Sequence, residues 1–268
     1  MDWEAIWREL ISEPIAIDGG AQIVRVERDE VRLAYAPLAD RLWARQRSLG
    51  RRLLVGVSGL PGGGKTVTAA VLARVLAITG RAQGADAICL GLDGFHRPNH
   101  WLERHTGPDH DGRIVVLRQI KGAPITFDVE AAIQRLERVR QGEGEVRFPI
   151  YSRELHDPIP DAVAVTKRHR IVLFEGNYLF LDDPPWPRLR ALFDVRLFVE
   201  TPEPARLANL RERHRRGGKT EEQIKRQMAV DGRNAALIAP TARYAHCRLI
   251  RSADGMRLVE VVGMEALS

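Results

Sequence analysis

The sequence predicts an α/β fold with a mainly parallel five-stranded sheet and helices on both of its faces. From residue 51 onwards, short apolar runs alternate with helical patterns, which is typical of parallel strands joined by helical crossovers. The first apolar run leads directly into a glycine-rich turn and then into a helical pattern. Because the chain has 268 residues and is 44% hydrophobic, it can bury one substantial core.

The predicted elements follow one another in a regular order. Strands are predicted at 53–57, 87–92, 171–174, 195–199 and 247–250. Helices are predicted at 65–78, 128–140, 186–192, 203–215 and 220–229. The long stretch 94–126 has no periodic pattern, and a compact domain seldom leaves such a length without a function. We interpret it as a substrate-binding insertion.

Residues 1–50 precede this pattern and are predicted to form an N-terminal extension made of a helix, a hairpin and a second helix. Apolar residues at helical spacing over 3–11 predict the first helix. Two short alternating runs within 22–35 predict a hairpin that turns at residues 28–30. Residues 37–49 are predicted as a helix that leads into the main domain, 51–268.

Composition limits the partners and the compartment. The formal charge of +6 is compatible with a polyanionic partner, but the chain has no basic stretch interleaved with aromatic residues, so a nucleic-acid partner is not expected. The two cysteines lie far apart in apolar runs, which favours a reducing compartment. No apolar run reaches the roughly 18 residues of a membrane helix, and the first residues lack the pattern of a signal peptide. These observations predict a cytoplasmic protein with no membrane segment.

A complete phosphate-binding loop occupies residues 59–66, directly after the first predicted strand. Its glycines allow backbone N–H groups to surround a phosphate, because a Cβ would block both positive φ values and close approach. Lys65 can reach the β- and γ-phosphates, and the Thr66 hydroxyl can ligate Mg²⁺. The predicted nucleotide-binding residues are Gly59, Leu60, Pro61, Gly62, Gly63, Gly64, Lys65, Thr66 and Val67.

Two acidic residues follow predicted strands, at the sheet edge where ligands of open α/β folds bind. Asp93 follows the second strand, where a carboxylate could orient an attacking hydroxyl or accept its proton. Glu175 follows the third strand and could hold Mg²⁺ directly or through water. The alternatives are an Asx turn at Asp93 and a structural role for Glu175.

Residues 211–220 place several cations at the end of a predicted helix, just before Gly217 and Gly218. We interpret this segment as a lid, with Arg213 neutralising charge on a transferring phosphoryl group while water is excluded. The alternative is a solvated charged helix face.

Together these segments resemble the uridine kinase, phosphoribulokinase and type I pantothenate kinase superfamily. The resemblance is strongest to its bacterial branch described as fructose-transport-system kinases or nucleoside/sugar kinases. The matching segments keep the family's order across residues 51–250 and leave residues 1–50 uncovered. They are 59–66, 93–99, 121–128, 149–158, 174–179 and 213–219.

The resemblance implies a P-loop NTPase fold with ATP and Mg²⁺ at the site. It implies that Asp93 is the catalytic carboxylate, that Lys65 and Arg213 assist it, and that Thr66 and Glu175 serve the metal. The residues implied for acceptor binding are Phe95, His96, Asn99, Tyr151 and Arg153. Asp231 and Asn234 resemble a recurring family element to which no role is assigned.

The expected activity is ATP-dependent transfer of a γ-phosphate to a hydroxyl of a small metabolite, in order of preference a sugar, a nucleoside or a pantothenate-like alcohol. The alternatives are a nucleotide-dependent switch and a kinase that acts on a nucleic-acid end. The sequence is also compatible with a homodimer. The spacings of the histidines in 94–126 match no recognised zinc pattern; these are His96, His100, His105 and His110.

Overall fold

A six-stranded sheet lies at the centre of the computed structural model, which describes residues 2–17, 20–22 and 24–267. The strands are β1 (Ile15–Ile17), β2 (Gly20–Gln22), β3 (Leu53–Gly59), β4 (Asp86–Gly91), β5 (Thr106–Pro108), β6 (Ile114–Val116), β7 (Glu145–Ser152), β8 (Asp157–Thr166), β9 (His169–Glu175), β10 (Val195–Glu200), β11 (Cys247–Arg251) and β12 (Leu258–Val262). The helices are α1 (Trp3–Ser12), α2 (Arg28–Glu30), α3 (Ala36–Leu49), α4 (Lys65–Gly80), α5 (Asn99–Leu102), α6 (Val129–Arg140), α7 (Trp186–Ala191), α8 (Glu203–Arg216) and α9 (Glu221–Ile238).

The strands of the central sheet follow the order β12-β11-β10-β3-β9-β4. The five predicted strands are present and run parallel to one another. The sixth, β12, pairs antiparallel with β11 and was not predicted. Asp254 and Gly255, which lie between the two apolar runs, form the kind of dipeptide that signals a hairpin and could have revealed it.

Alternate residues of each central strand enter two different parts of the core. In β3, Leu53, Val55 and Val57 pack with α3, α4 and the N-terminal segment, whereas Leu54 faces the opposite side, among residues of α6, β7 and α7. Both faces are therefore covered, as a parallel sheet requires. No helix among the described residues is both long and apolar enough to cross a membrane.

The hairpin predicted at 22–35 is wrong. The hairpin lies earlier, where β1 pairs with β2, and residues 28–49 are helical throughout, with a π-helical turn at Val31–Tyr35. Val31, Ala34, Tyr35 and Leu38 are buried at helical spacing, whereas Leu33 is exposed. The apparent alternation of apolar residues was therefore one face of a helix.

The predicted insertion contains short elements of its own. Within 94–126 lie α5 and the antiparallel pair β5 and β6. The longer hairpin of β7 and β8 packs beside it and was not predicted. Gly94 brings the two together, because a Cβ on it would lie 2.4 Å from the Pro149 carbonyl oxygen. The segment after β4 therefore contacts the backbone of β7 directly.

We predict that Glu30→Ala lowers the free energy of unfolding by about 1–3 kcal/mol, because it leaves a buried N–H without an acceptor. The Glu30 carboxylate is buried and accepts the Leu258 N–H at 2.7 Å and the Glu27 N–H at 2.9 Å, so it joins α2 to β12. Urea unfolding measures the effect. Asp29→Ala is the control, since the Asp29 side chain is 73% exposed, and equal losses in both variants would contradict this role.

Candidate active site

The phosphate loop joins the end of β3 to the start of α4, where the sequence predicts it. Gly62 and Gly64 have φ values of +79° and +77°, which side chains with a Cβ rarely tolerate. A Cβ on Gly62 would also lie 2.5 Å from Cγ of Leu210 in α8. The first turn of α4 leaves N–H groups without helical partners beside the loop, which favours an anion there.

Side chains outside the loop hold its carbonyl oxygens. These hydrogen bonds run from Arg206 Nη1 to the Pro61 oxygen at 3.3 Å, from Asn209 Nδ2 to the Gly62 oxygen at 3.4 Å, and from Thr201 Oγ1 to the Gly63 oxygen at 2.8 Å. In a trans peptide, the C=O and the following N–H point in opposite directions. The N–H groups of Gly62 and Gly64, which follow the Pro61 and Gly63 carbonyls, therefore point away from Arg206 and Thr201 and stay available to a ligand. Sequence reasoning missed all three donors.

Arg251, at the end of β11, supports the loop from behind. Its guanidinium is buried and donates to Thr68 Oγ1 in α4 at 2.8 Å and to the carbonyl oxygens of Gly255 and Met256. A Cβ on Gly64 would lie 3.1 Å from Arg251 Cζ. The turn between β11 and β12 is thus fastened to the first turns of α4.

The two acidic residues meet at the carboxyl edge of the sheet. Glu175 is the buried last residue of β9, and Asp93 is exposed just beyond β4. Gly176 lets the two strand ends approach, since a Cβ on it would lie 2.6 Å from Leu92 Cβ. One cavity of about 260 Å³ collects the polar residues of the site, which are Thr66, Asp93, Tyr151 and Glu175.

The donors at this cavity fit Mg²⁺ carried on a phosphate. The carboxylate of Glu175 lies 3.9 Å from Lys65 Nζ, and Thr66 adds a hydroxyl. Within the described chain, no three His, Cys, Asp or Glu residues form a metal cluster. Mg²⁺ is usually held by one or two carboxylates together with substrate phosphates, and this donor set matches that pattern.

His96 links the catalytic segment to the acceptor side. Its Nδ1 lies 2.8 Å from the Asp93 carbonyl oxygen and, because a carbonyl only accepts, Nδ1 carries the proton. Burial lowers the pKa of His96, although the charge of Asp93 acts in the opposite direction. The neutral ring packs against Phe127 and lies 5.1 Å from the ring of Tyr151, and its Nε2 presents a lone pair.

Both polar groups of the Asn99 side chain form hydrogen bonds within the protein. Its Oδ1 accepts from Lys121 Nζ at 2.7 Å, and its Nδ2 donates to the His156 carbonyl oxygen at 3.1 Å. Lys121 also donates to that His156 oxygen, at 2.7 Å, and pairs with Asp157. Lys121 therefore joins α5 to the β7–β8 hairpin. The sequence placed Lys121 in a segment that matches the family but did not predict this role.

The structure assigns Phe95 to the core, which contradicts its predicted contact with the acceptor. Its side chain is 3% exposed and packs between Phe148 and Phe174, because the turn after β4 directs it inwards. Arg153 is exposed near the tip of the β7–β8 hairpin, and Tyr151 lines the cavity.

The predicted lid begins on the helix that supports the phosphate loop. Arg206 and Asn209 face the loop, and Arg213 follows them at i+7 and i+4 on the same face of α8. Arg216 pairs with Glu212 at 2.8 Å. Arg213 is exposed and forms no ion pair within the described part of the chain. It is a cation that an incoming anion can engage.

Asp231 and Asn234 lie buried on α9 beside this segment. Asp231 Oδ2 lies 2.7 Å from Nε2 of the buried His214, so an ion pair or hydrogen bond joins α8 to α9. Burial raises the pKa of Tyr178, and the charges of Asp93 and Asp231 add to the effect.

Comparison with known proteins gives one family. The sequence profile of the phosphoribulokinase / uridine kinase family matches residues 54–255. The uncharacterized protein YggC of Escherichia coli K12 is 31% identical over 90% of this chain and 96% of its own length. A pantothenate kinase of Rhodopseudomonas palustris HaA2 is 30% identical over 74% of this chain and 68% of its own. A crystal structure from Silicibacter sp. TM1040, provisionally designated a fructose transport system kinase, has a TM-score of 0.65 and 30% identity, and it covers 78% of this chain and 95% of that one.

We predict that Thr201→Val weakens ATP binding about threefold to tenfold, because the Gly63 carbonyl loses a hydrogen bond worth about 1 kcal/mol. Calorimetric titration with ATP measures the effect. Thr241→Val is the matched control, since Thr241 Oγ1 donates to the Ile238 carbonyl oxygen at 2.7 Å at the end of α9, away from the loop. If both variants bind ATP like the wild type, the loop does not depend on its outer hydrogen bonds.

Proposed function

This chain belongs to the phosphoribulokinase / uridine kinase family, and from that premise we propose that ATP passes its γ-phosphate to an alcohol at the cavity beside the ends of β4 and β9. The chain is a kinase of small metabolites. One observation carries the assignment to this cavity: Thr66 beside the loop, Glu175 and Asp93 line the same 260 Å³ space. The five parallel strands end at this edge, where ligands of open α/β sheets bind.

The phosphate loop and Lys65 hold the triphosphate in this proposal. The N–H groups of Gly62 and Gly64 and the start of α4 face the anion, and the Lys65 ammonium adds a full charge. Lys65 Nζ lies 3.9 Å from Glu175, so the carboxylate keeps the ammonium beside the loop before nucleotide binds. Mg²⁺ bound with the triphosphate would neutralise charge on the phosphate oxygens, and Thr66 and Glu175 would hold it.

We assign Asp93 to the acceptor hydroxyl. Its carboxylate is exposed to the cavity, and its backbone is fixed by the hydrogen bond from His96 Nδ1. A carboxylate at the end of a rigid strand can orient an attacking hydroxyl and take its proton as the bond to phosphorus forms. Phosphoryl transfer needs positioning above all, and a fixed turn supplies it.

His96 and Tyr151 are the side chains that we assign to the acceptor. His96 Nε2 can accept a hydrogen bond from a hydroxyl, because the ring is neutral at neutral pH. Burial raises the pKa of the Tyr151 phenol, and the charges of Asp93 and Asp157 add to the effect, so this phenol stays a donor. Phe95 is buried and Asn99 is committed to Lys121, so neither is retained in the acceptor set.

We predict that Asp93→Asn lowers turnover by about 10²–10⁴-fold and changes ATP affinity less than threefold, because only the acceptor loses its partner. Steady-state assays against sugars, nucleosides and pantothenate, with ATP titration, measure both. Asp111→Asn, an exposed carboxylate within the insertion, is the control. Unchanged nucleotide turnover in Asp93→Asn would favour a nucleotide-driven switch, which needs no carboxylate at an acceptor.

We predict that Arg213→Ala lowers kcat about 10²-fold with little change in ATP affinity, because a closing cation stabilises charge that develops during transfer. Arg216→Ala should stay within about twofold of wild type, since an exposed pair such as Arg216 with Glu212 contributes little. Equal kinetics in the two variants would show that α8 ends in a merely solvated charged face.

A further inference from the structure

The cavity that holds the polar site residues is apolar over the rest of its surface. Away from Asp93 it runs along the edge strand β4, between α4 on one side and the β7–β8 hairpin on the other. This wall includes Ile17, Ala70, Ile88, Cys89, Ile150 and Val163. The polar groups are thus gathered at one end of the 260 Å³ space.

The N-terminal hairpin contributes to this wall. Ile17 closes β1, is 5% exposed, and lines the cavity together with Ala70, which lies one turn beyond Thr66 on α4. Ile15, two residues earlier on the same strand, is also 5% exposed but does not line the cavity. Among the side chains that the structure describes, Ile17 is the one through which the hairpin reaches this cavity.

We propose that the acceptor is an alcohol with a largely hydrocarbon body, whose hydroxyl lies at Asp93 while the body packs against Ile17, Ile88 and Val163. This proposal rests on the proposed function. A sugar carries a hydroxyl on nearly every carbon, and hydroxyls directed at these apolar side chains would exchange their hydrogen bonds to water for contacts that offer none. The apolar wall thus selects against polyols and reverses the preference for sugars drawn from the sequence.

A cysteine in this wall can report whether a molecule occupies the cavity. Cys89 lines the cavity and is partly exposed, whereas Cys247, the other cysteine of the chain, is 1% exposed and burial raises its pKa to about 11. N-ethylmaleimide should therefore modify Cys89 selectively, since thiolates are the reactive form. A molecule that fills the apolar end should slow this modification.

The test compares linear alcohols with polyols of the same carbon number: 1-butanol with erythritol, 1-pentanol with xylitol and 1-hexanol with sorbitol. Mass spectrometry follows Cys89 modification at increasing concentrations of each. We expect the half-protecting concentration to fall about fourfold per methylene from 1-butanol to 1-hexanol, as burial of a CH₂ predicts. We expect the polyols to protect at least tenfold less well. Equal or better protection by polyols would overturn the proposal.

Two variants locate the effect. Ile17→Ala should raise the half-protecting concentration of 1-hexanol about fivefold or more, whereas Ile15→Ala, its matched control on β1, should stay within twofold. Equal shifts in both would mean that the hairpin acts only through the core. Should either variant fail to fold, Val163→Thr replaces a methyl by a hydroxyl of the same shape, and it should weaken protection by 1-hexanol and improve protection by sorbitol.

Phosphorylation of the same alcohols from labelled ATP separates the proposal from the kinase assignment. Higher kcat/KM for 1-pentanol than for xylitol supports both. Faster transfer to polyols would leave the kinase reaction standing and overturn the apolar acceptor. Protection of Cys89 by alkanols, with no transfer to them, to the polyols or to the sugar, nucleoside and pantothenate panel, would refute the proposed reaction and leave the apolar subsite in place.

Discussion

The hydrogen bonds on the outer side of the phosphate loop are the constraint on which the rest of the site depends. A peptide group has two polar ends that point in opposite directions, so a loop can offer its N–H groups to an anion only if its carbonyls are satisfied elsewhere. Thr201 and two side chains of α8 satisfy them. Arg251 adds a second support behind Gly64. The glycine loop is therefore shaped by residues that lie about 140 to 190 positions away in the sequence.

Local features of the sequence predicted most of the architecture. Each predicted strand corresponds to an apolar run, and helical patterns lie between these runs. The glycines of the loop at 59–66 indicate its backbone conformation, since Gly62 and Gly64 have positive φ values. The carboxyl edge then followed from the parallel order, which is why Asp93 and Glu175 could be placed together in advance. Patterns within about fifteen residues were sufficient for these conclusions.

The rest depends on partners that no local pattern reveals. Thr201 and Asn209 act on backbone carbonyls, which any residue supplies, so no motif marks them. Phe95 shows a different limit: a resemblance identifies a segment, but neighbouring side chains in a turn point in opposite directions, and here Asp93 faces the cavity while Phe95 faces the core. The π-helical stretch after Glu30 was predicted as part of a hairpin, because apolar and polar residues alternate over this short length as they do in a strand.

The two ends of α8 are held by different contacts, and this difference decides which part of the helix can move when nucleotide binds or leaves. Arg206 and Asn209 bind its first half to the loop, so that half cannot shift without distorting the anion cradle. Its last turn is fastened instead to α9, through the buried contact of His214 with Asp231. We therefore expect movement to be confined to the last turn of α8 and the N-terminal part of α9, because Leu210 is buried against the loop and Ile238, at the other end of α9, is buried in the core. Such a movement would carry the buried contact of His214 with Asp231 along with it, so this contact is coupled to departure of the spent nucleotide.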